Sequence, residues 1–104
     1  MLFKNIKEAH EYYNFPGTYR IGSVFVKNYG IIRSYSNGEN KDFFRNGIFY
    51  YKIKNELLYS RFLMNYKLKN KLRLFVKVVN GVLDLGLVKV KKINKNYVQL
   101  KINQ

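Results

Sequence analysis

IIRSYSNGENKDFFRNGIFYYKIK, running from Ile31 to Lys54, decides how this chain folds. Asn46-Gly47 stands between two aromatic-rich runs, and a two-residue hairpin turn needs residues that tolerate positive φ, so the dipeptide predicts a β-hairpin over residues 42–54. On its second strand, side-chain alternation puts Tyr51 and Ile53 on one face and Tyr50, Lys52 and Lys54 on the other. Just upstream, SNGENK (Ser36 to Lys41) is a run of turn formers with no apolar residue. It reads as a solvent-exposed loop of the kind that carries function.

Towards the N-terminus, Tyr29 to Tyr35 and Tyr19 to Val26 read as strands, the latter bent by Gly22. Leu2, Phe3, Ile6, Ala9, His10 and Tyr13 follow helical spacing, which predicts a helix over residues 2–14 stopped by Pro16-Gly17. Towards the C-terminus, Asn55 is an N-cap with Glu56 in the first turn, and Leu58, Phe62 and Tyr66 or Leu63 predict a short helix. Leu72, Leu74, Val76 and Val78 then alternate with Arg73, Phe75, Lys77 and Val79, a strand with one buried face. Asn80-Gly81 turns into a strand over Val82 to Ile93, in which Gly86 shifts the alternation and leaves Lys89 and Lys91 pointing outward. Asn94-Lys95-Asn96 turns again into Tyr97 to Ile102, with Val98, Leu100 and Ile102 facing in. The fold class is therefore α+β and β-rich: six or so strands in a curled mixed or antiparallel sheet or small open barrel, with two short helices. Residues 1–104 form one domain with no repeat and no linker.

Hydrophobic residues make up 47% and aromatic residues 17% of the chain, enough for a real core. Twenty Lys and Arg against six Asp and Glu give a formal charge of +14, and the pI is about 10.0. Such a charge points to an anionic partner, nucleic acid first and an anionic membrane surface second. The 13 Asn and 15 Lys also indicate a compositional bias that contributes part of the basic excess. With no cysteine there is no disulfide framework, thiolate zinc site or cysteine nucleophile, and a cytoplasmic location fits. The start, MLFKNIKEAHEYY, lacks a signal peptide's apolar run, and no segment is long enough to be a membrane helix.

The titratable groups argue for binding over catalysis. His10 lies on the apolar side of the first helix and reads as a structural residue. Glu8 and Glu11 offset Lys4 and Lys7, Glu56 serves its helix, and Asp84 beside Gly86 reads as an edge or bulge device. Only Glu39 and Asp42 lack an obvious local role. That inventory offers no converging carboxylates for two-metal chemistry and no facing pair for glycoside cleavage; nor is there a phosphate-cradling loop or metal-ligand spacing. The chain is read as a non-enzyme without cofactor or metal. Cations instead alternate with aromatics across DFFRNGIFYYKIK and YSRFLMNYKLKNKLR. Lys and Arg neutralise phosphates, and flat rings accept unstacked bases. Arg33, Lys41, Arg45, Lys52, Lys54, Lys67, Lys69, Lys71 and Arg73 are the phosphate-binding candidates. Taken singly, Phe43, Phe44, Phe49 and Phe62 read better as core, whereas a strand tyrosine beside a polar loop keeps one wet end.

IIRSYSNGENKDFFRNGIFYY followed by NYKLKNKLRLFVKV resembles the SET- and RING-associated (SRA) modified-DNA reader domain, particularly its shorter relatives linked to bacterial HNH restriction endonucleases. In that family a Ser-Gly-Gly-type loop with an acidic cluster precedes a strand ending Tyr-Thr-Gly; an Asn-x-x-Leu segment and a Val-Arg-Val or His-Leu-Phe strand follow. The counterparts are Ser36, Gly38 and Asp42, then Tyr51 nine positions after Asp42, then Asn65 and Leu68, then Leu72 to Val76. GVLDLGLVKV resembles a later strand of the endonuclease-linked members. The resemblance covers about half the chain. It implies a PUA-like curled sheet that binds duplex DNA and flips a cytosine, often a modified one, into a pocket. By position the base-edge acid would be Asp42 and the stacking ring Tyr51, with Tyr50, Ser36 and Glu39 beside them. Two departures stand out: Lys52-Ile53 replaces the Thr-Gly, and Glu39 lies where a loop tyrosine is expected.

The resulting expectation is a double-stranded DNA-binding domain in a restriction or defence system, reading a modified cytosine by base flipping and working with a nuclease domain or subunit. The alternative is an RNA-directed basic protein, either a ribosome-associated binder or a small metal-free ribonuclease toxin with Lys95, Tyr97 and Lys101 as its candidate set.

Overall fold

In the computed structural model, which describes residues 1–14, 24–26, 29–35 and 42–102, the hairpin forms as its turn residues dictate. Asn46 has φ 53° and Gly47 φ 79°, the two positive values that a type I′ turn requires. The turn joins β4 (Phe43–Arg45) to β5 (Ile48–Lys52) and fixes the register Phe43–Tyr50, Phe44–Phe49 and Arg45–Ile48.

Five further strands complete the path. They are β2 (Val24–Val26), β3 (Tyr29–Tyr35), β6 (Lys71–Val78), β7 (Gly81–Ile93) and β8 (Tyr97–Ile102). The spatial order is β2-β3-β6-β7-β8-β5-β4. Only the β3–β6 pairing on this path is parallel, because the β4–β5 hairpin and a helix lie between those strands in sequence. The sheet is therefore mixed. It curls into a half-barrel until its ends approach: Asp42, one residue before β4, accepts a hydrogen bond from the Ser34 hydroxyl on β3 at 2.5 Å.

Between the hairpin and β6 runs α2 (Glu56–Leu68), capped by the Asn55 side chain, which accepts from the Leu58 N–H at 2.8 Å. At thirteen residues it is longer than the short stripe of apolar positions suggests. Asn65 closes its C-terminus: its backbone oxygen accepts from the Asn70 N–H at 3.1 Å, and its side-chain oxygen accepts from the Asn70 amide at 3.1 Å. Phe62, fully buried, packs against Tyr51, Leu72, Leu74, Val88, Val98 and Leu100 on the inner face of the sheet. This is the larger core.

The N-terminal helix expected from residue 2 begins later. Leu2–Phe3 form β1, paired with Leu83 and Val82 of β7, where β8 does not reach. Asn5 then caps α1 (Ile6–Tyr13), its side chain accepting from Glu8 N–H at 2.9 Å, and Asn14 ends it at φ 55°. Leu2 and Phe3 share the helical spacing by coincidence: Phe3 reaches the apolar side of α1 from a strand. Together with Ala9, Phe75 and Val82 it makes a second core on the sheet's outer face, so β6 is buried on both sides at Phe75. The strand expected from Tyr19 is described only over Val24–Val26, and Gly22 lies outside the described residues.

Gly86, φ 84°, makes the expected bulge. Arg73 faces Leu87 and Phe75 faces Asp84, so two β7 residues stand opposite Leu74. Asp84 is a device of that bulge, in an inner strand rather than at an edge. Its carboxylate accepts from the Gly86 N–H at 2.7 Å, pairs with Arg73 at 3.0 Å, and accepts the Tyr13 hydroxyl hydrogen bond.

Candidate nucleic-acid interface

Asp42 sits where the half-barrel's two ends meet. The hairpin register places it next along from the Phe43–Tyr50 pair, which brings it across from Tyr51. One carboxylate oxygen accepts from the Lys52 backbone N–H at 2.7 Å, the other from the Ser34 hydroxyl. Only 6% of the residue is exposed. Burial pushes its pKa above the usual carboxylate range, opposed by those two hydrogen bonds and by the charges of Lys54 and Lys52. Two hydrogen bonds leave part of the carboxylate's acceptor capacity unused.

Tyr51 lies on the inner face and is fully buried. Its ring meets Phe62 at 5.5 Å, and the Lys54 ammonium stands over it, 5.5 Å from the centroid. Lys54 also lines a cavity of about 390 Å³ with Ile53, Asn55, Tyr59, Ser60 and Lys95. Asp42, Tyr51, the Lys52 backbone and Lys54 thus belong to one neighbourhood, with Ser34, which the sequence reading did not single out. Nothing local marks Ser34, because its contact with Asp42 joins the two ends of the sheet.

Tyr50 is not brought there. It is on the opposite face of β5, stacked on Phe43 with centroids 4.6 Å apart and planes 9° from parallel. Ser36, Glu39 and Lys41 lie outside the described residues. Arg33 is on β3 in register with Phe75.

The remaining cation candidates divide. Arg45 and Lys71 are exposed on the outer face, and Lys67 and Lys69 are exposed at the end of α2. Arg73 is engaged internally. Its guanidinium pairs with Asp84, donates to the Tyr13 hydroxyl at 3.1 Å and lies 4.3 Å from that ring's centroid. Burial and the Asp84 carboxylate raise the Tyr13 pKa. The alternative set does not converge: Tyr97 and Lys101 are four residues apart along β8, about 13 Å, and Lys95 lies in the turn before them. Among the described residues no three of His, Asp and Glu gather as a metal site would require.

The backbone has close counterparts among solved structures. The SRA domain of SUVH5 in complex with hemimethylated CG DNA superposes with a TM-score of 0.65 at 13% identity, covering 83% of this chain and 74% of that one. The same domain in complex with methylated CHH DNA gives a TM-score of 0.65 at 14% identity, over 83% and 75%. The fold is thereby SRA-like. No family model matches the sequence, and no curated protein matches it.

Proposed function

We propose that this domain binds double-stranded DNA and reads a modified cytosine flipped into the seam between Asp42 and Tyr51. The observation that carries the reading is the hairpin: in a fold shared with DNA-bound SRA domains, it holds an almost fully buried carboxylate across from an inward-facing ring. A carboxylate in such a site accepts the amino protons of cytosine, and a ring face replaces the stacking that a flipped base loses. Lys54 lies above that ring, so an entering base displaces its ammonium, which then pairs with backbone phosphate. The formal charge of +14 supplies the sequence-independent share of affinity. A restriction or defence protein, with a nuclease on a separate domain or subunit, is the setting we infer for such a reader.

The test compares affinities for plain duplex and for duplex carrying 5-methylcytosine or 5-hydroxymethylcytosine, at one salt concentration. Wild-type protein should prefer one modified duplex. Asp42→Asn keeps the shape but loses the charge and turns one of the two acceptor oxygens into an N–H donor, which cannot accept from the cytosine amino group; it should cost that preference about tenfold or more, in line with ~1–3 kcal/mol for a base-edge contact. Equal losses on plain and modified duplex would reduce the domain to a backbone binder.

A further inference from the structure

The pairing registers place a row of cations on the outer face, away from Asp42. Lys71 on β6 is paired with Lys89 on β7, Lys89 with Lys101 on β8, Lys101 with Ile48 on β5, and Ile48 with Arg45 on β4. Paired residues point to the same side of a sheet, so the row crosses five strands and about 19 Å. All four cations are exposed and Ile48 is only 9% exposed.

Like charges directly opposite each other destabilise a sheet. Here Lys89 has a lysine on each side, and among the described residues no carboxylate pairs with any of the four cations. α1 covers a different part of the same face, over Phe75 and Val82, and leaves this row open.

The next row across the sheet is Lys92, Gln99, Tyr50 and Phe43, paired in that order. Phe43 is 41% exposed, backed by the parallel Tyr50 ring and met by Tyr97 at 5.8 Å and 68°. At the β6–β7 end, Lys89 also lines a groove of about 420 Å³ with Tyr66, Lys67 and Lys69. A line of unneutralised cations beside an exposed aromatic cluster is the pairing that single strands exploit: phosphates follow the charges and unstacked bases meet the rings.

We propose that this outer face is a second nucleic-acid site, a track for single-stranded DNA or RNA in which Lys71, Lys89, Lys101 and Arg45 hold the backbone and Phe43 with Tyr50 receives bases. The site shares no residue with the Asp42 seam and stands without it.

The test is fluorescence anisotropy with a labelled oligothymidylate, an oligouridylate and a plain duplex over a salt series. Lys89→Gln/Lys101→Gln is compared with Lys4→Gln/Lys7→Gln, which removes the same charge from exposed positions near α1. The ladder variant should bind both single strands at least roughly tenfold more weakly at low salt, with a log-log salt slope shallower by about 1.4. The control should stay within about twofold of wild type. Phe43→Ala should abolish the preference for oligothymidylate over an abasic strand of equal length. Unchanged single-strand binding in the ladder variant, or an equal loss in the control, would overturn the track. An equal loss on duplex would overturn its single-strand character. The preference between modified and plain duplex, read at the seam, should not change in the ladder variant, so the two readings fail separately.

Discussion

Asp42 couples the fold to the proposed chemistry through one carboxyl group. Its folded pKa is raised by burial, so the folded state binds a proton more readily than the unfolded chain does. Stability should therefore fall as pH rises from the ordinary carboxyl value through the raised one, and Asp42→Asn should flatten that decline in a series of thermal melts. Recognition has the opposite sign. On the proposed reading it is the ionised form that would accept from cytosine, so discrimination between modified and plain duplex should weaken as pH drops into the same window, and a pH-independent preference would remove the carboxylate from recognition. Asp84 presents a contrasting case, an acid serving structure alone. Its side chain is 4% exposed and holds Arg73, Tyr13 and the Gly86 amide. Asp84→Ala leaves the guanidinium unpaired and should cost roughly 2–3 kcal/mol in denaturant unfolding, with little effect on DNA affinity.

The elements most readable in the sequence are those whose signal is local. Asn46-Gly47 specifies its hairpin because few residues accept two successive positive φ values, and Asn55 specifies the start of α2 because its side chain satisfies an amide that the helix leaves unpaired. Asn55→Ala should therefore cost about 1 kcal/mol. What the sequence could not show is the pairing of strands distant in the chain. Helical spacing at Leu2 and Phe3 hid β1, whose position depends on the free edge of β7. Arg73 read as a phosphate ligand because its partner, Asp84, faces it only through the bulge. Ser34 went unremarked for the same reason, and Lys89 was read as pointing outward without its lysine partners on β6 and β8, since alternation gives a residue's face but not its neighbour. The contact of β1 with β7 also rests on Gly81, at φ 149°, where a Cβ would lie 2.2 Å from the Phe3 carbonyl oxygen. Gly81→Ala should destabilise by about 2 kcal/mol or more and expose the β1 amides to hydrogen exchange first.

At the scale of the molecule, the topology explains why a strongly basic chain keeps the acid Asp42 in its seam. The path runs from β2 to β4 and curls, so the residue just before β4 meets β3 and becomes the point where the half-barrel is drawn together. Charge is then distributed by face: the outer sheet carries its paired lysines at a small cost to stability. Neutralising Lys89 should raise the midpoint of thermal unfolding slightly, in line with ~0.2–1 kcal/mol for a cross-strand pair. If about five phosphates are contacted, duplex affinity should fall with salt at a log-log slope of roughly −4 to −5, and a flat dependence would exclude backbone binding.

Base capture at the seam is tested most directly by placing 2-aminopurine beside a modified cytosine in a duplex and saturating it with protein. Unstacking of the neighbour should raise the fluorescence several-fold with wild-type protein and leave it near the free-duplex level with Asp42→Asn. Saturated binding with unchanged fluorescence in the wild type would contradict base flipping by this domain.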